Sequence, residues 1–183
     1  MVIEILKTII SQIDWNKYSY FWKRLEVPAK TILLKEGDIS NRAYFIEKGC
    51  LRLWFNNQGK DVTFQFFFEK EAVSSIESFS KKQVSFFNIE TIESSILHFI
   101  KKNDFDKIVN ENPILKDYLL EITLERQFNY MKHFLSLIKD KPKERYIKLL
   151  KEKPHIIQRV PQHYIASYLG ITSVSLSRIR NKI

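Results

Sequence analysis

The sequence lacks several features that would assign it to well-known classes of proteins. Its 183 residues contain one cysteine, Cys50, which excludes an intrachain disulfide and an iron–sulfur cluster held by four thiolates. No apolar run reaches the roughly 20 residues that a membrane-spanning helix needs. The stretch before Trp15 has Glu4 and Lys7 among its apolar residues and no small-residue cleavage site, so it predicts an amphipathic helix and not a signal peptide. We therefore expect a cytoplasmic protein with no membrane partner.

Catalytic and metal-binding motifs are also missing. The sequence has no glycine-rich phosphate loop, no Gly-x-Ser-x-Gly elbow and no paired-histidine helix motif. Its four histidines show no metal-ligand spacing; they are His98, His133, His155 and His163. The scattered carboxylates are typical of a solvated surface. We therefore expect no enzymatic activity, no bound metal and no cofactor.

Glycine is scarce, and its positions are informative. Three of the four glycines, Gly37, Gly49 and Gly59, lie in turn-like stretches between segments rich in β-branched and aromatic residues. Those segments are TILL (31–34), AYFIE (43–47), LRLWF (51–55), VTFQFFF (62–68) and SILHFI (95–100). Short strands joined by tight turns predict a compact antiparallel β-roll or barrel between residues 27 and 100.

A long helix is predicted to follow the strands. Asn112-Pro113 is a typical helix start, and neither glycine nor proline interrupts the chain from there to about Lys139. Apolar residues recur at heptad spacing along it, which forms a seam suited to a partner helix. The seam consists of Leu124, Phe128, Met131, Leu135 and Ile138. A second apolar stripe near the helix start suits its own domain. We expect dimerisation through the seam; the alternative is that both stripes line a single core.

Positive charge is concentrated in the last quarter of the sequence. The formal net charge is +9, and 11 of the 30 basic residues but only three of the 21 acidic ones lie between Lys139 and Ile183. Such an asymmetry indicates a polyanionic partner for this segment, nucleic acid above all. The alternative is a basic surface that only keeps the protein in solution.

The last residues have the spacing of a helix-turn-helix. Residues 162–169 predict a short helix that ends at Gly170, where a left-handed turn suits glycine. Thr172 can then cap a second helix over residues 173–181. The preceding stretch KPHIIQRVP (153–161) predicts a short hairpin or strand.

The second helix of this motif is predicted to bind DNA. Small Ala166 on the first helix allows a close crossing, with Leu176 and Ile179 pointing inward. Arg178 on the outward face can grip guanine bidentately, Val174 offers apolar contact, and the hydroxyls and other cations suit phosphate oxygens. The predicted DNA contacts are Thr172, Ser173, Val174, Ser175, Ser177, Arg178, Arg180, Asn181 and Lys182.

The order of these segments resembles the Crp/Fnr superfamily of bacterial transcription factors. The resemblance depends on LLKEGD (33–38), YFIEKGCLRLW (44–54) and IASYLGITSVSLSRIRNKI (165–183), and the last is most similar to small regulators common in Bacteroidetes. The resemblance implies a homodimer that binds a palindromic site in double-stranded DNA and contacts RNA polymerase. Val174 departs from the glutamate that is common at its position, so the base preference there is left open.

The resemblance also implies the fold class and the domain limits. The expected fold is α+β, with an antiparallel, cyclic-nucleotide-binding-like β-roll, a long dimerisation helix and a C-terminal winged helix-turn-helix. The corresponding domains are residues 1–111, 112–139 and 140–183.

The cyclic-AMP cassette of that family is degenerate in this sequence. In the family, a Gly-Glu turn and an arginine followed by a small hydroxyl residue hold the ribose and the cyclic phosphate. Glu71 can stand for the glutamate, but Lys70 replaces the glycine, and Ser85 and Phe86 replace the arginine and hydroxyl pair. Without the arginine, the phosphate has no bidentate partner. We therefore expect no response to cyclic AMP, and the effector is unknown.

The sequence is also compatible with two other functions. His98, on a predicted strand, is conceivable as a haem ligand like those of haem-sensing relatives, although a lone histidine on a strand is more typical of a surface or hydrogen-bonded residue. The other alternative, for the whole chain, is a β-roll ligand-binding or scaffold protein whose basic tail binds polyanions without sequence specificity.

Overall fold

The computed structural model describes residues 2–182, except for the side chain of Ile5. Over that range the strands are β1 Lys23–Val27, β2 Ile32–Leu34, β3 Arg42–Lys48, β4 Leu51–Asn57, β5 Lys60–Phe67, β6 Ala72–Val73, β7 Asn88–Thr91 and β8 Ser95–Lys101. The helices are α1 Val2–Ile9, α2 Ile76–Lys81, α3 Lys102–Glu111, α4 Pro113–Lys139, α5 Pro142–Glu152, α6 Pro154–Arg159, α7 Gln162–Tyr168 and α8 Ser173–Arg180, with a 3-10 helix at Trp15–Phe21. No helix in the described part of the chain is long and apolar enough to cross a membrane.

The strands form two four-stranded sheets, which confirms the predicted β-roll. Their orders are β1-β8-β3-β6 and β2-β7-β4-β5. The pairs β1–β8, β2–β7, β3–β6, β3–β8 and β4–β7 run antiparallel, and the register between β3 and β8 starts with Arg42 opposite Lys101. The apolar side chains of Ile46, Leu51 and Leu97 are fully inaccessible to solvent. Burial of this apolar surface is the main stabilising contribution to the roll.

The turn between β3 and β4 needs a glycine for two reasons. Gly49 has a φ of +119°, a conformation that side-chain-bearing residues rarely adopt. A Cβ atom at this position would also lie 2.9 Å from the backbone Cα of Ser95, which is closer than atoms can pack. Gly37 and Gly59 also have positive φ, so the predicted role of the three turn glycines is confirmed.

The chain divides into two compact units. The first consists of Met1–Phe55 and Phe66–Leu119, and the second of Asn56–Gln65 and Leu120–Ile183. In the first unit, helices α1 and α3 and the start of α4 pack around buried Trp15, Ile108 and Leu115. The second apolar stripe of α4 therefore starts within the core of the first unit, as predicted. The domain limits at residues 111 and 139 stay a prediction.

One predicted element is wrong. The stretch KPHIIQRVP (153–161) forms helix α6 and not a hairpin, and residues 102–182 contain no strand, so the described chain has no wing. Pro154 occupies the first helical position, where its fixed φ and missing N–H favour helix initiation. Ile156 and Val160, one helical turn apart, are both buried. The β-branched character of the stretch conceals this helical spacing in the sequence.

Candidate nucleic-acid interface

Helices α7 and α8 form the helix-turn-helix that the sequence predicts. Gly170 has a φ of +64° in the left-handed region, and the amide of Ile171 donates to the carbonyl of Ala166 across the turn at 2.9 Å. Thr172 caps α8, since its Oγ1 accepts a hydrogen bond of 3.1 Å from the amide of Ser175. Both predicted turn residues therefore act as expected.

A small apolar core holds the two helices together. Ile165 and Ala166 of α7, the following Leu169 and Leu176 of α8 are all at least 98% buried. Ala166, the small residue expected at the helix crossing, is among these buried residues. Because these contacts fix α8 on one side, its opposite side faces away from the motif.

All but one of the predicted DNA contacts are exposed to solvent. Val174 is 61% exposed. Exposed with it are Thr172, Ser173, Ser177, Arg178, Arg180, Asn181 and Lys182. Ser175 differs because it is half-buried and its hydroxyl lies 3.0 Å from Thr172 Oγ1 within the cap. A phosphate contact from Ser175 would have to share that hydroxyl.

The arginines of α8 are not in ion pairs within residues 2–182. Among residues 2–182, no carboxylate lies within ion-pair distance of Arg178 or Arg180. Both occupy the last turn of the helix, where positive charge complements the helix dipole. Their charge is therefore not neutralised within the described part of the chain, and it can attract an anion.

Arg145 is a structural residue of this unit that sequence reasoning missed. It is 91% buried, and its Nε donates to the carbonyl of Leu169, at the end of α7, at 3.0 Å. One terminal nitrogen donates to the carbonyls of Asp140 (2.6 Å) and Leu137 (3.4 Å), at the end of α4. The guanidinium thereby joins the carboxyl ends of two helices, where a cation is favoured. Nothing in the sequence separates Arg145 from the other basic residues around it.

The start of β5 is hydrogen-bonded to α7 within the second unit. The hydroxyl of Ser167 donates to the carbonyl of Asp61 at 3.0 Å and accepts from the amide of Thr63 at 2.9 Å. The sequence contains no local signal for this contact, because more than one hundred residues separate its partners. It fixes the hairpin tip beside the first helix of the helix-turn-helix.

The predicted dimerisation seam lies on the surface of α4. The side chains of Leu124, Phe128, Met131, Leu135 and Ile138 are between 39% and 66% exposed. Leu120 and Phe134 enlarge the same helix's exposed apolar surface. The alternative, in which both stripes of α4 line one core, is wrong for the single chain, because the seam is left uncovered.

Two of the three degenerate cassette residues, Glu71 and Ser85, make hydrogen bonds within the first unit. Glu71 accepts a hydrogen bond of 2.7 Å from the amide of Phe68 in its own turn. Ser85 is buried, and its hydroxyl bonds with Ser75 Oγ at 3.0 Å and the carbonyl of Phe87 at 2.8 Å. Phe86 is 66% exposed. The polar groups of Glu71 and Ser85 thus serve internal hydrogen bonds.

The histidine considered for haem is bonded to a carboxylate. Nε2 of His98 lies 2.5 Å from a carboxylate oxygen of Glu47, and His98 is 93% buried. This geometry favours the hydrogen-bonded role over axial ligation. In the described residues, no group of three or more His, Cys, Asp or Glu side chains is arranged to hold a metal.

These features define a class of protein: an antiparallel β-roll, then a long helix with an uncovered apolar seam, then a helix-turn-helix. Residues 24–112 match the cyclic nucleotide-binding domain family. None of the curated proteins is detectably similar to the chain in sequence.

Solved structures extend the likeness to most of the chain. FixK2 from Bradyrhizobium japonicum is similar with a TM-score of 0.78 at 15% identity, over 88% of this chain and 83% of that one. A mutant of CooA from Carboxydothermus hydrogenoformans gives 0.76 at 15% identity, over 97% and 83%. A Crp/Fnr-family protein from Eubacterium rectale gives 0.75 at 17% identity, over 94% and 84%.

The predicted resemblance is therefore confirmed. Residues 24–112 match the cyclic nucleotide-binding domain family, and the chain has the fold of Crp/Fnr proteins. At these identities the solved structures establish the fold and leave the function to be argued from the residues. The similarity to a Bacteroidetes branch stays a prediction.

Proposed function

We propose that the protein is a DNA-binding transcriptional regulator of the Crp/Fnr type, which acts in the cytoplasm as a homodimer on a palindromic site. The observation that supports it most is the exposed surface of α8, where hydroxyls and cations without a carboxylate partner among residues 2–182 lie on a well-packed helix-turn-helix. In this class of motif the second helix enters the major groove and its outward residues meet base edges and phosphates.

The residues divide into two roles. Arg178 is the base-reading residue, because its planar guanidinium can donate two hydrogen bonds to guanine O6 and N7. Val174 adds apolar contact to a base. The remaining predicted contacts position the helix on phosphates, and these are Thr172, Ser173, Ser175, Ser177, Arg180, Asn181 and Lys182.

Dimerisation follows from the uncovered seam of α4. Five apolar side chains at heptad spacing would leave a large apolar stripe in water if the chain stayed single. Pairing two α4 helices along Leu124, Phe128, Met131, Leu135 and Ile138 buries that stripe. Two recognition helices about one DNA turn apart, roughly 34 Å, then match the two halves of a palindrome.

The regulator acts without cyclic AMP. The cassette has no arginine for the cyclic phosphate, and its glutamate and serine are engaged in internal hydrogen bonds. Isothermal titration with cyclic AMP or cyclic GMP should give no binding heat; a micromolar affinity would contradict this part of the proposal. Contact with RNA polymerase is proposed from the family resemblance alone.

A second function, non-specific binding of polyanions, is favoured by the cations outside α8. Lys143 and Lys151 on α5 are exposed and have no carboxylate partner among residues 2–182. Such charges attract any phosphate backbone, and their contribution weakens steeply with salt. They account for encounter with DNA but not for a preferred site.

The two functions are separated by two variants that each remove one positive charge. We expect a duplex selected from a random pool to bind the wild type, and Arg178→Ala to bind it about 10-fold to 100-fold more weakly, as loss of a bidentate base contact predicts. Lys151→Ala, the matched control on α5, should weaken selected and random duplexes slightly and equally. If both variants lost the same affinity for the selected duplex, and random DNA displaced that duplex completely, only non-specific polyanion binding would remain.

A further inference from the structure

The second unit contains a cavity away from the outer face of α8. Its volume is about 390 Å³, and it lies between the C-terminal half of α4, helix α5 and the end of α7. This volume is in the range of pockets that bind small organic molecules. No residue of α8 lines it. The cavity therefore needs an explanation separate from base recognition.

The lining of the cavity carries excess positive charge. Lys132 of α4, Lys148 of α5 and Lys153 just after α5 all border it. No carboxylate among residues 2–182 is within ion-pair distance of these three ammonium groups. Arg145 adds a fourth cation to the wall, and Glu152 is the only carboxylate that the described residues contribute to the lining. Unneutralised cations that converge on one cavity are the chemistry of an anion site.

One wall of the cavity is aromatic. The rings of His133 and Tyr168 stack with their centroids 4.1 Å apart and an angle of 8° between their planes, and both line the cavity with Leu149. Burial raises the pKa of Tyr168 to about 12, so its hydroxyl stays neutral at physiological pH. The wall offers apolar contact to the uncharged body of a ligand, while the ammonium groups offer donors to its charged end.

The pKa of the His133 imidazole is affected by the same positive charges. Its pKa is held below the ordinary value of 6.5, first by burial and then by the charge of Lys153, with smaller contributions from Arg145 and Lys148. A backbone hydrogen bond at Tyr168 acts in the opposite direction. Because three of the surrounding cations repel a further proton, an anion bound among them would reverse part of that repulsion.

We propose that this cavity binds a small organic phosphate, with the phosphate held by Lys132, Lys148 and Lys153 and the organic part against the His133–Tyr168 wall. The proposal rests on the cavity and its charges and does not depend on DNA recognition by α8. Lysine is suited to phosphate as a mobile point charge, and three such donors match the oxygens of one phosphate group.

Pyrophosphate is the probe that tests the anionic half of the site in the full-length protein. Imidazole resonances would be followed by NMR during titration, with sodium chloride added to the reference sample to equalise ionic strength. We expect the His133 signal to shift saturably and its measured pKa to rise, while the signals of His98, His155 and His163 stay unchanged. Uniform shifts of all four histidines, or the same response to sodium chloride, would overturn the proposal.

A pair of variants on α5 then assigns the binding to the cavity. Lys148→Gln removes a lining ammonium, whereas Lys151→Gln removes an exposed one that does not line the cavity. Losing one charge-assisted contact should weaken pyrophosphate binding about tenfold in the first variant, whereas the second should show only the slight loss expected from removing an exposed charge. Equal affinities in the two variants would refute the site. A second result would also refute it: duplex DNA displaces pyrophosphate, and Lys148→Gln selectively loses duplex binding. The cavity would then be part of the surface that binds DNA.

Discussion

The two units use charged side chains in opposite ways. In the first unit, Arg52 of β4 and Glu90 of β7 form a buried ion pair with nitrogen–oxygen distances of 2.6 and 2.7 Å, and the carboxylate of Glu47 meets His98. In the second unit, cations such as Arg178 and Lys148 find no carboxylate in the part of the chain that the structure describes. A buried ion pair is costly to break because the remaining charge stays buried without a partner, whereas an exposed cation is available to a binding partner.

We expect the largest difference in stability between two Arg→Met variants, one in each unit. Arg52→Met leaves the carboxylate of Glu90 buried without its partner, which should lower the free energy of unfolding by about 3–5 kcal/mol. Arg178→Met should change it by less than about 0.5 kcal/mol, because an exposed side chain without partners contributes little. Urea denaturation of both variants measures the contrast. Similar losses in the two would show that the charges of the two units are not used differently.

A second contrast concerns how tightly the β-roll is packed. Gly49→Ala adds a methyl group against the backbone of Ser95 and should lower the free energy of unfolding by about 3 kcal/mol or more. Gly37→Ala, also at positive φ but with no atom within 4 Å of the new Cβ, should lose only about 1 kcal/mol. Thermal or urea unfolding separates the two values. Equal losses would mean that the turn relaxes and that close packing there is not limiting.

Arg145 is the exception within the second unit, because its charge is buried and bonded. Arg145→Met removes hydrogen bonds to three helix-terminal carbonyls and should lower the free energy of unfolding by about 2 kcal/mol. Lys143→Met, which removes an exposed cation from the same helix, is the control and should have little effect. If both variants were as stable as the wild type, Arg145 would not hold the ends of α4 and α7 together.

The smallest expected effect is a change in how stability depends on pH. Because the folded-state pKa of His133 is lowered from 6.5, first by burial, the unfolded chain binds more protons near that pH. The contribution of His133 to stability is therefore complete above pH 6.5 and is lost as the pH falls below it. His133→Phe keeps an aromatic ring beside Tyr168 but cannot titrate. Between pH 7.5 and about 5.5, the urea midpoint of the wild type should fall further than that of His133→Phe. Equal falls would contradict a lowered pKa of His133 in the folded protein.

The parts of the fold that follow from local chemistry are predictable from the sequence. Gly49 and Gly170 mark turns because their backbone conformations exclude most other residues. Strands β3, β4, β5 and β8 are visible in their β-branched and aromatic content. The outer face of α8 follows from the inward spacing of Leu176 and Ile179.

The parts that depend on distant partners are not predictable. Three of the four residues of strand β7 (Asn88–Thr91) are polar, yet all four are buried. Arg52 pairs with Glu90, and Asn88 bonds to the amide of Glu36 and the carbonyl of Trp54. The prediction of a hairpin at helix α6 is wrong because six residues are too few to show helical periodicity. The cavity beside His133 depends on three helices whose contacts no local pattern reveals.

We propose that two copies, paired along α4, present the exposed surface of α8 to one DNA site. Sedimentation equilibrium of the full-length protein with a selected duplex tests this claim most directly. We expect two chains on each duplex and a loss of this complex for Phe128→Lys, which places a charge in the seam. A wild-type protein that remains single and binds no duplex would contradict the proposal.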